Sequence, residues 1–155
     1  MAKELPIQVE SLPGHSIRRL QQIAVAIFLQ ETEAFGITPI QFAVMGKLQE
    51  KANLDQKTVA KSIGLDTSTI GGVIDRLEAR GLVQRNAAEN DRRVHLLSLT
   101  QDGYHLLSEV GPAVLMAQER ILSPLTSDEQ TAFLNMLQRL IQGNNDLSRA
   151  PTTHS

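Results

Sequence analysis

The chain has 155 residues, of which 41% are hydrophobic and 21% charged, with no cysteine and a formal net charge of -2; the pI is near 6.1. This is the length of one domain with the composition of a soluble globular protein, so disorder and coiled coil are excluded, as are disulfides, cysteine zinc sites and thiolate redox sensing. No apolar run reaches about 18 residues and no basic segment followed by an apolar core opens the chain, so no membrane span or signal peptide is expected and a cytoplasmic location is; any role with nucleic acid must come from local charge.

The first helix is predicted from Leu12 to about Ala34. On a helical projection Leu12, Ser16, Leu20, Ile23, Ala24 and Ile27 share one side, while Ser11, His15, Arg18, Arg19, Gln22 and Ala26 share the other. Gly36 and Pro39 separate this helix from a second, Pro39 to Lys51, with Thr38 as its cap and Ile40, Val44 and Leu48 on one face.

Asp55 can cap a short helix containing Val59, Ala60 and Ile63. Gly64 breaks it, and Asp66 can cap another with the inward stripe Ile70, Val73, Ile74 and Leu77. Two helices joined by such a turn are a helix-turn-helix, whose second helix enters the major groove when the unit binds DNA. Gly81 stops that helix. Leu82 to Asn86 and Val94 to Leu99 read as strands around the polar loop 87–93, so the unit is a winged helix.

Thr100 can cap a helix carrying Tyr104, Leu107, Val110, Val114 and Ile121, in which Pro112 predicts a kink or a break one residue earlier. Thr126 and Glu129 fit a capping box that opens the last helix, which carries Phe133, Leu134, Leu137, Leu140 and Ile141 up to Gly143. Residues 144–155 read as a frayed polar tail. The fold class is therefore mainly α with a small β-hairpin wing. One domain spans 1–155, with the winged helix at 39–99 between flanking helices at 12–35 and 101–143. Those flanking helices carry more apolar surface than a monomer covers comfortably, which favours a dimer face over helices packed only on each other.

Nothing converges for catalysis. His15, His95, His105 and His154 are scattered, and HExxH, GxGxxG and P-loop patterns are absent, so neither an enzyme nor a bound metal or cofactor is expected. DNA contact has better support from placement. Arg92 and Arg93 fall at the hairpin tip, where a wing can reach a minor groove or a phosphate, although a solvated turn fits them equally well. The outward side of the second helix of the pair is small, with Thr67, Ser68, Thr69, Gly71 and Gly72, followed by Arg76. Hydroxyls near a helix N-terminus suit phosphates and base edges, and the glycines permit close approach to DNA, or else tight packing on a neighbouring element.

The segment DRRVHLLSLT, Asp91 to Thr100, resembles the wing pattern D-x-R-x-x-x-L-x-L-T of the MarR-type winged-helix regulators, through Asp91, Arg93, Leu97, Leu99 and Thr100. VIDRLEARGLVQR, Val73 to Arg85, is similar to the family's recognition-helix end and wing start, and the likeness extends in helix order from about Leu12 to Gln142. The resemblance implies a homodimer reading a pseudo-palindromic operator, with Arg93 in the minor groove, Asp91 holding it, and Thr67, Ser68 and Thr69 facing the major groove. Gly71 and Gly72 depart from the bulkier polar side chains of many relatives.

PGHSIRRLQQ, Pro13 to Gln22, is similar to a subgroup associated with aromatic carboxylate ligands. In that subgroup a Ser, His and Arg ladder on the first helix reaches the carboxylate from the partner subunit, and Ser11, His15 and Arg19 match its spacing. The chemistry suits them: arginine pairs bidentately with a carboxylate, while serine and histidine donate hydrogen bonds. Read from the residues alone, a solvated polar face or a dimer salt bridge fits as well. Arg18 and Gln22 border the ladder, and Ile40, Val44 and Met45 are candidate pocket walls. The expected function is a DNA-binding transcriptional repressor released by a small aromatic acid; the alternative is a winged-helix protein-interaction module that binds no operator.

Overall fold

The computed structural model describes residues 6–148. Helix α1 spans Pro13–Glu31 and α2 spans Pro39–Glu50. The two-residue strand β1, Leu54–Asp55, precedes α3, Gln56–Ser62, and α4, Thr67–Ala79. Strands β2, Val83–Ala87, and β3, His95–Leu99, form the hairpin, followed by α5, Gln101–Leu122, and α6, Ser127–Gly143. The sheet is antiparallel in the order β1-β3-β2.

Side-chain caps place the helices. Thr38 and Gln41 form a reciprocal box of 3.1 and 3.2 Å, and Thr126 and Glu129 another of 2.9 and 3.3 Å. Each box satisfies backbone donors that the first helical turn leaves without partners. Asp55 accepts from the Thr58 N–H and Asp66 from the Thr69 N–H, each at 2.8 Å. The αL conformation of Gly64, at φ 69°, turns α3 into α4.

The inward stripe of α4 is as the periodicity predicts: Ile70, Val73, Ile74 and Leu77 are buried, together with Leu48, Val59, Leu97 and Val110. Gly103 sits where α5 crosses the end of the turn before β2, and a Cβ there would run into the Leu82 carbonyl. The Thr100 hydroxyl fastens the same crossing, donating to the Gly81 carbonyl at 2.6 Å and accepting from the Gly103 N–H at 3.0 Å.

Several boundaries differ from the sequence reading. Helix α1 starts one residue later than predicted, and Ser11, ahead of it, ends a 3-10 turn at Val9–Ser11 and donates its hydroxyl to the Gln8 carbonyl at 2.7 Å. Leu12 is the extended cap residue and Pro13 takes the first helical position, where a missing N–H costs nothing. The far end stops at Glu31 rather than near Ala34, and the buried Thr32 hydroxyl that follows it bonds the Phe28 carbonyl at 2.8 Å and the Ile37 carbonyl at 3.3 Å. Strand β1 has no counterpart in the periodicity. Helix α5 runs unbroken through Pro112, which lies on its exposed side, so the break expected one residue earlier is absent. The start of the tail forms a 3-10 turn, Asn145–Leu147; the rest of the tail, residues 149–155 with His154, lies outside the described residues.

Among the described residues none of α6 is buried. Its Leu134, Leu137 and Leu140 face Ile17, Leu20 and Ala24 of α1 across an open apolar groove of about 530 Å³.

Candidate functional site

Two surfaces carry the candidate residues. The first combines the exposed side of α4 with the wing. Thr67, Ser68 and Thr69 are exposed at the helix N-terminus, and the Ser68 hydroxyl donates to Asp66 at 2.9 Å. The two glycines differ: a Cβ on Gly71 would meet Gln56 of α3 at 3.4 Å, whereas one on Gly72 would meet only the Arg76 guanidinium at 4.0 Å. Gly71 makes an ordinary contact with the end of the Gln56 side chain, and the open surface at Gly72 leaves room for close approach by another molecule.

On the wing, Asp91 accepts from the Arg93 backbone N–H at 3.0 Å and stands 3.8 Å from its Nε, while the Arg93 side chain is 96% exposed. That is a weak tether on a cation free to engage an outside anion. Arg92 is exposed beside it.

The basic residues of this region divide in a way that spacing cannot reveal. Arg80 donates to the carbonyls of Gly36 and Phe35, and Arg85 pairs with Asp75 and Glu78. Among the described residues Lys57, Lys61, Arg76 and Arg92 form no ion pair. The charge available for phosphate thus lies on α3, on α4 and at the wing tip, consistent with a chain that is acidic overall.

The second surface is a groove of about 290 Å³ at the start of α1, lined by Glu10, His15, Ser16, Arg19, Leu20 and Ile23. Its size is at the lower end of the ~300–1,000 Å³ usual for small-molecule sites. Arg18 Nη2 and His15 Nδ1 stand 3.3 Å apart, and the tautomer of the ring sets which of its nitrogens donates. His15 and Arg19 therefore meet in one groove as predicted from their spacing. Ser11 does not join them, since it precedes the helix; Ser16 takes the hydroxyl position instead. The remaining candidates stand apart. Arg18 and Gln22 are exposed outside this lining, Ile40 is half-exposed on α2, and Val44 and Met45 have no exposed surface and belong to the core. Val44 and Met45 cannot be walls of this groove, because the packing of α2 under the sheet turns them inward.

Glu10 and Ser16 escaped the sequence reading. The 3-10 turn that carries Glu10 has no periodic pattern, and Ser16 projects with the apolar side of α1. Two carboxylates have perturbed titration. Asp55 is held below its ordinary range mainly by the Thr58 N–H, and Glu129 mainly by that of Thr126; both are helix caps. Among the described residues no group of acidic or histidine side chains could hold a metal ion, and no helix is long and apolar enough to cross a membrane.

The MarR family model matches residues 37–95, which run from the core residue Ile37 to His95, the first residue of β3. The HTH-type transcriptional repressor NicR of Pseudomonas putida is 32% identical over 136 residues, covering 88% of this chain and 86% of NicR. The structure of BpsR from Bordetella bronchiseptica, described as regulated in its DNA binding by 6-hydroxynicotinic acid, aligns with a TM-score of 0.82 at 32% identity over 88% of this chain and 97% of its own. The repressor CouR, solved on a 23-mer DNA duplex, aligns with a TM-score of 0.81 at 29% identity over 89% and 99%.

Proposed function

The chain belongs to the MarR family of transcriptional regulators, and we propose that it is a homodimeric repressor released from operator DNA by a small aromatic carboxylic acid. The observation that carries this reading is the pairing of one surface with another. An exposed α4 N-terminus and a lightly tethered Arg93 suit DNA, while a separate groove places the His15 and Arg19 donors together. NicR is named a repressor, CouR was solved on DNA, and BpsR responds to a pyridine carboxylic acid; this chain extends along nearly all of each.

In this reading Thr67, Ser68, Thr69 and Gly72 face the major groove, Arg76 meets its edge or a phosphate, and Arg92 and Arg93 reach from the wing. Arg19 takes the carboxylate in a charge-assisted pair, with His15 and the Ser16 hydroxyl as further donors. Ile23 supplies apolar wall for the ring. The exposed apolar groove between α1 and α6 is the dimer face, since pairing it with a second copy removes Ile17, Leu20, Leu134 and Leu140 from water at about 25 cal/mol per Å². Action on operator DNA implies the cytoplasm.

The test is a mobility-shift titration on the intergenic DNA beside the gene, with and without a panel of benzoates, cinnamates, phenylacetates, indole acids and hydroxypyridine carboxylates. A retarded complex that one of these acids dissolves is the expected result. No retardation at low salt overturns the repressor reading, and a complex indifferent to every acid overturns the ligand class.

A further inference from the structure

The exposed side of α4 carries a carboxylate that a DNA-facing helix should avoid. At 100° per residue, Asp75 falls within about 20° of Ser68 and about 40° of Ala79 around the helix, on the side that also carries Gly72. Its side chain is 68% exposed, and that of Glu78, nearly one turn along, 44%. Phosphates within a Debye length of about 8 Å would repel two bare carboxylates there.

Neither carboxylate is bare. Arg85 extends from β2, at the foot of the wing, and places Nη2 2.8 Å from Asp75 Oδ1 and Nη1 3.0 Å from Glu78 Oε1. One guanidinium thus serves two acids through two nitrogens, a geometry that the point charge of a lysine cannot reproduce. Its own side chain is only 21% exposed, so little of it is left for phosphate. The backbone beneath it is fixed, because Arg85 pairs in the sheet with the fully buried Leu97.

We propose that Arg85 is a positioning residue for DNA binding. It masks Asp75 and Glu78 from the phosphate backbone without touching DNA itself. The inference rests on the DNA-binding reading above and adds a residue that reading does not include.

The test measures binding of two labelled duplexes, one from the intergenic region beside the gene and one of random sequence, across a salt series. Arg85→Gln should bind both about tenfold more weakly at low salt, the deficit shrinking as salt screens the exposed acids. Adding Asp75→Asn and Glu78→Gln to Arg85→Gln should return affinity to within about threefold of the wild type, which a loss of folding or of bracing alone would not do. A wild type that binds neither duplex overturns the DNA reading and this inference with it. A wild type that binds while Arg85→Gln binds equally well overturns this inference alone, and so does a loss that the triple variant fails to recover. Should Arg85→Gln fail to fold by circular dichroism, the double variant Asp75→Asn, Glu78→Gln with Arg85 intact decides. Tighter binding with a steeper salt slope is expected of the freed guanidinium, and weaker binding overturns the proposal.

Discussion

Arg80, just past the last residue of α4, donates to the carbonyl of Gly36, 44 residues earlier, at 2.8 Å, and its second Nη donates to the Phe35 carbonyl at 2.9 Å. Those carbonyls lie at the corner between α1 and α2, where Gly36 is in the left-handed conformation. The recognition helix is therefore joined directly to the turn that connects α1 to α2. Hydrogen bonds from a charged donor contribute about 1.5–3 kcal/mol in general, and the partial exposure of this one lowers that. Arg80→Ala should lower stability in urea by about 1 kcal/mol with an unchanged m-value, and Arg80→Lys should recover less than half of the loss, since lysine cannot span both carbonyls.

Two glycines of helical segments should respond in opposite directions to alanine. A Cβ on Gly103 meets the Leu82 backbone, which cannot yield without moving the turn before β2, whereas Gly72 has open space. Gly103→Ala should destabilise by more than about 2 kcal/mol despite the helix propensity gained. Gly72→Ala should stabilise by up to about 1 kcal/mol in thermal melting while weakening operator binding. Unchanged affinity would remove Gly72 from the DNA interface.

Arg93 touches almost nothing else in the fold, so its removal should leave melting unaltered. Arg93→Ala should weaken operator binding by about 1–3 kcal/mol and make the slope of log affinity against log salt shallower by about 0.9 for each phosphate that is no longer neutralised. Equal affinities in a gel-shift titration would place the wing tip off the DNA.

Asp55 caps α3 as a carboxylate, and the Thr58 N–H is the main cause of its lowered pKa. A depressed folded pKa means that the stability gained is fully present above the ordinary value of 3.8 and is lost as pH falls through the lower folded value. Asp55→Ala should cost about 1 kcal/mol at neutral pH. Asp55→Asn should keep most of the cap and flatten the stability curve below the ordinary aspartate range. A wild-type acid limb that stays the same in the asparagine variant would show that other groups dominate it.

Glu10 and Arg19 share the groove on α1, one repelling and one attracting an anion. Arg19→Ala should leave DNA binding intact and abolish release by the aromatic acid, while Glu10→Gln should tighten binding of the acid in calorimetry. An Arg19→Ala protein that still responds to the acid would return the residue to ordinary surface.

Local chemistry made much of this protein legible from its residues. The caps at Thr38, Asp55, Asp66, Thr100 and Thr126, the inward stripe of α4 and the hairpin all follow from rules spanning a few positions, and the structure has them where those rules put them. Helical spacing likewise brought His15 and Arg19 into one groove. It failed for Ser11, because a proline two residues on starts the helix too late to include it, and a periodic pattern does not register where periodicity begins. It failed for Val44 and Met45, because apolar spacing marks a face without saying whether that face meets a ligand or a core. Tertiary structure alone decided the two-residue β1, which exists through its pairing with β3, and the separation of the arginines into bracing and available ones. Arg80 finds its acceptors 44 and 45 residues away and Arg85 finds its acids in the preceding helix. Such pairings depend on where distant backbone comes to rest, and only the packing of α1, α4 and the wing around one core sets that.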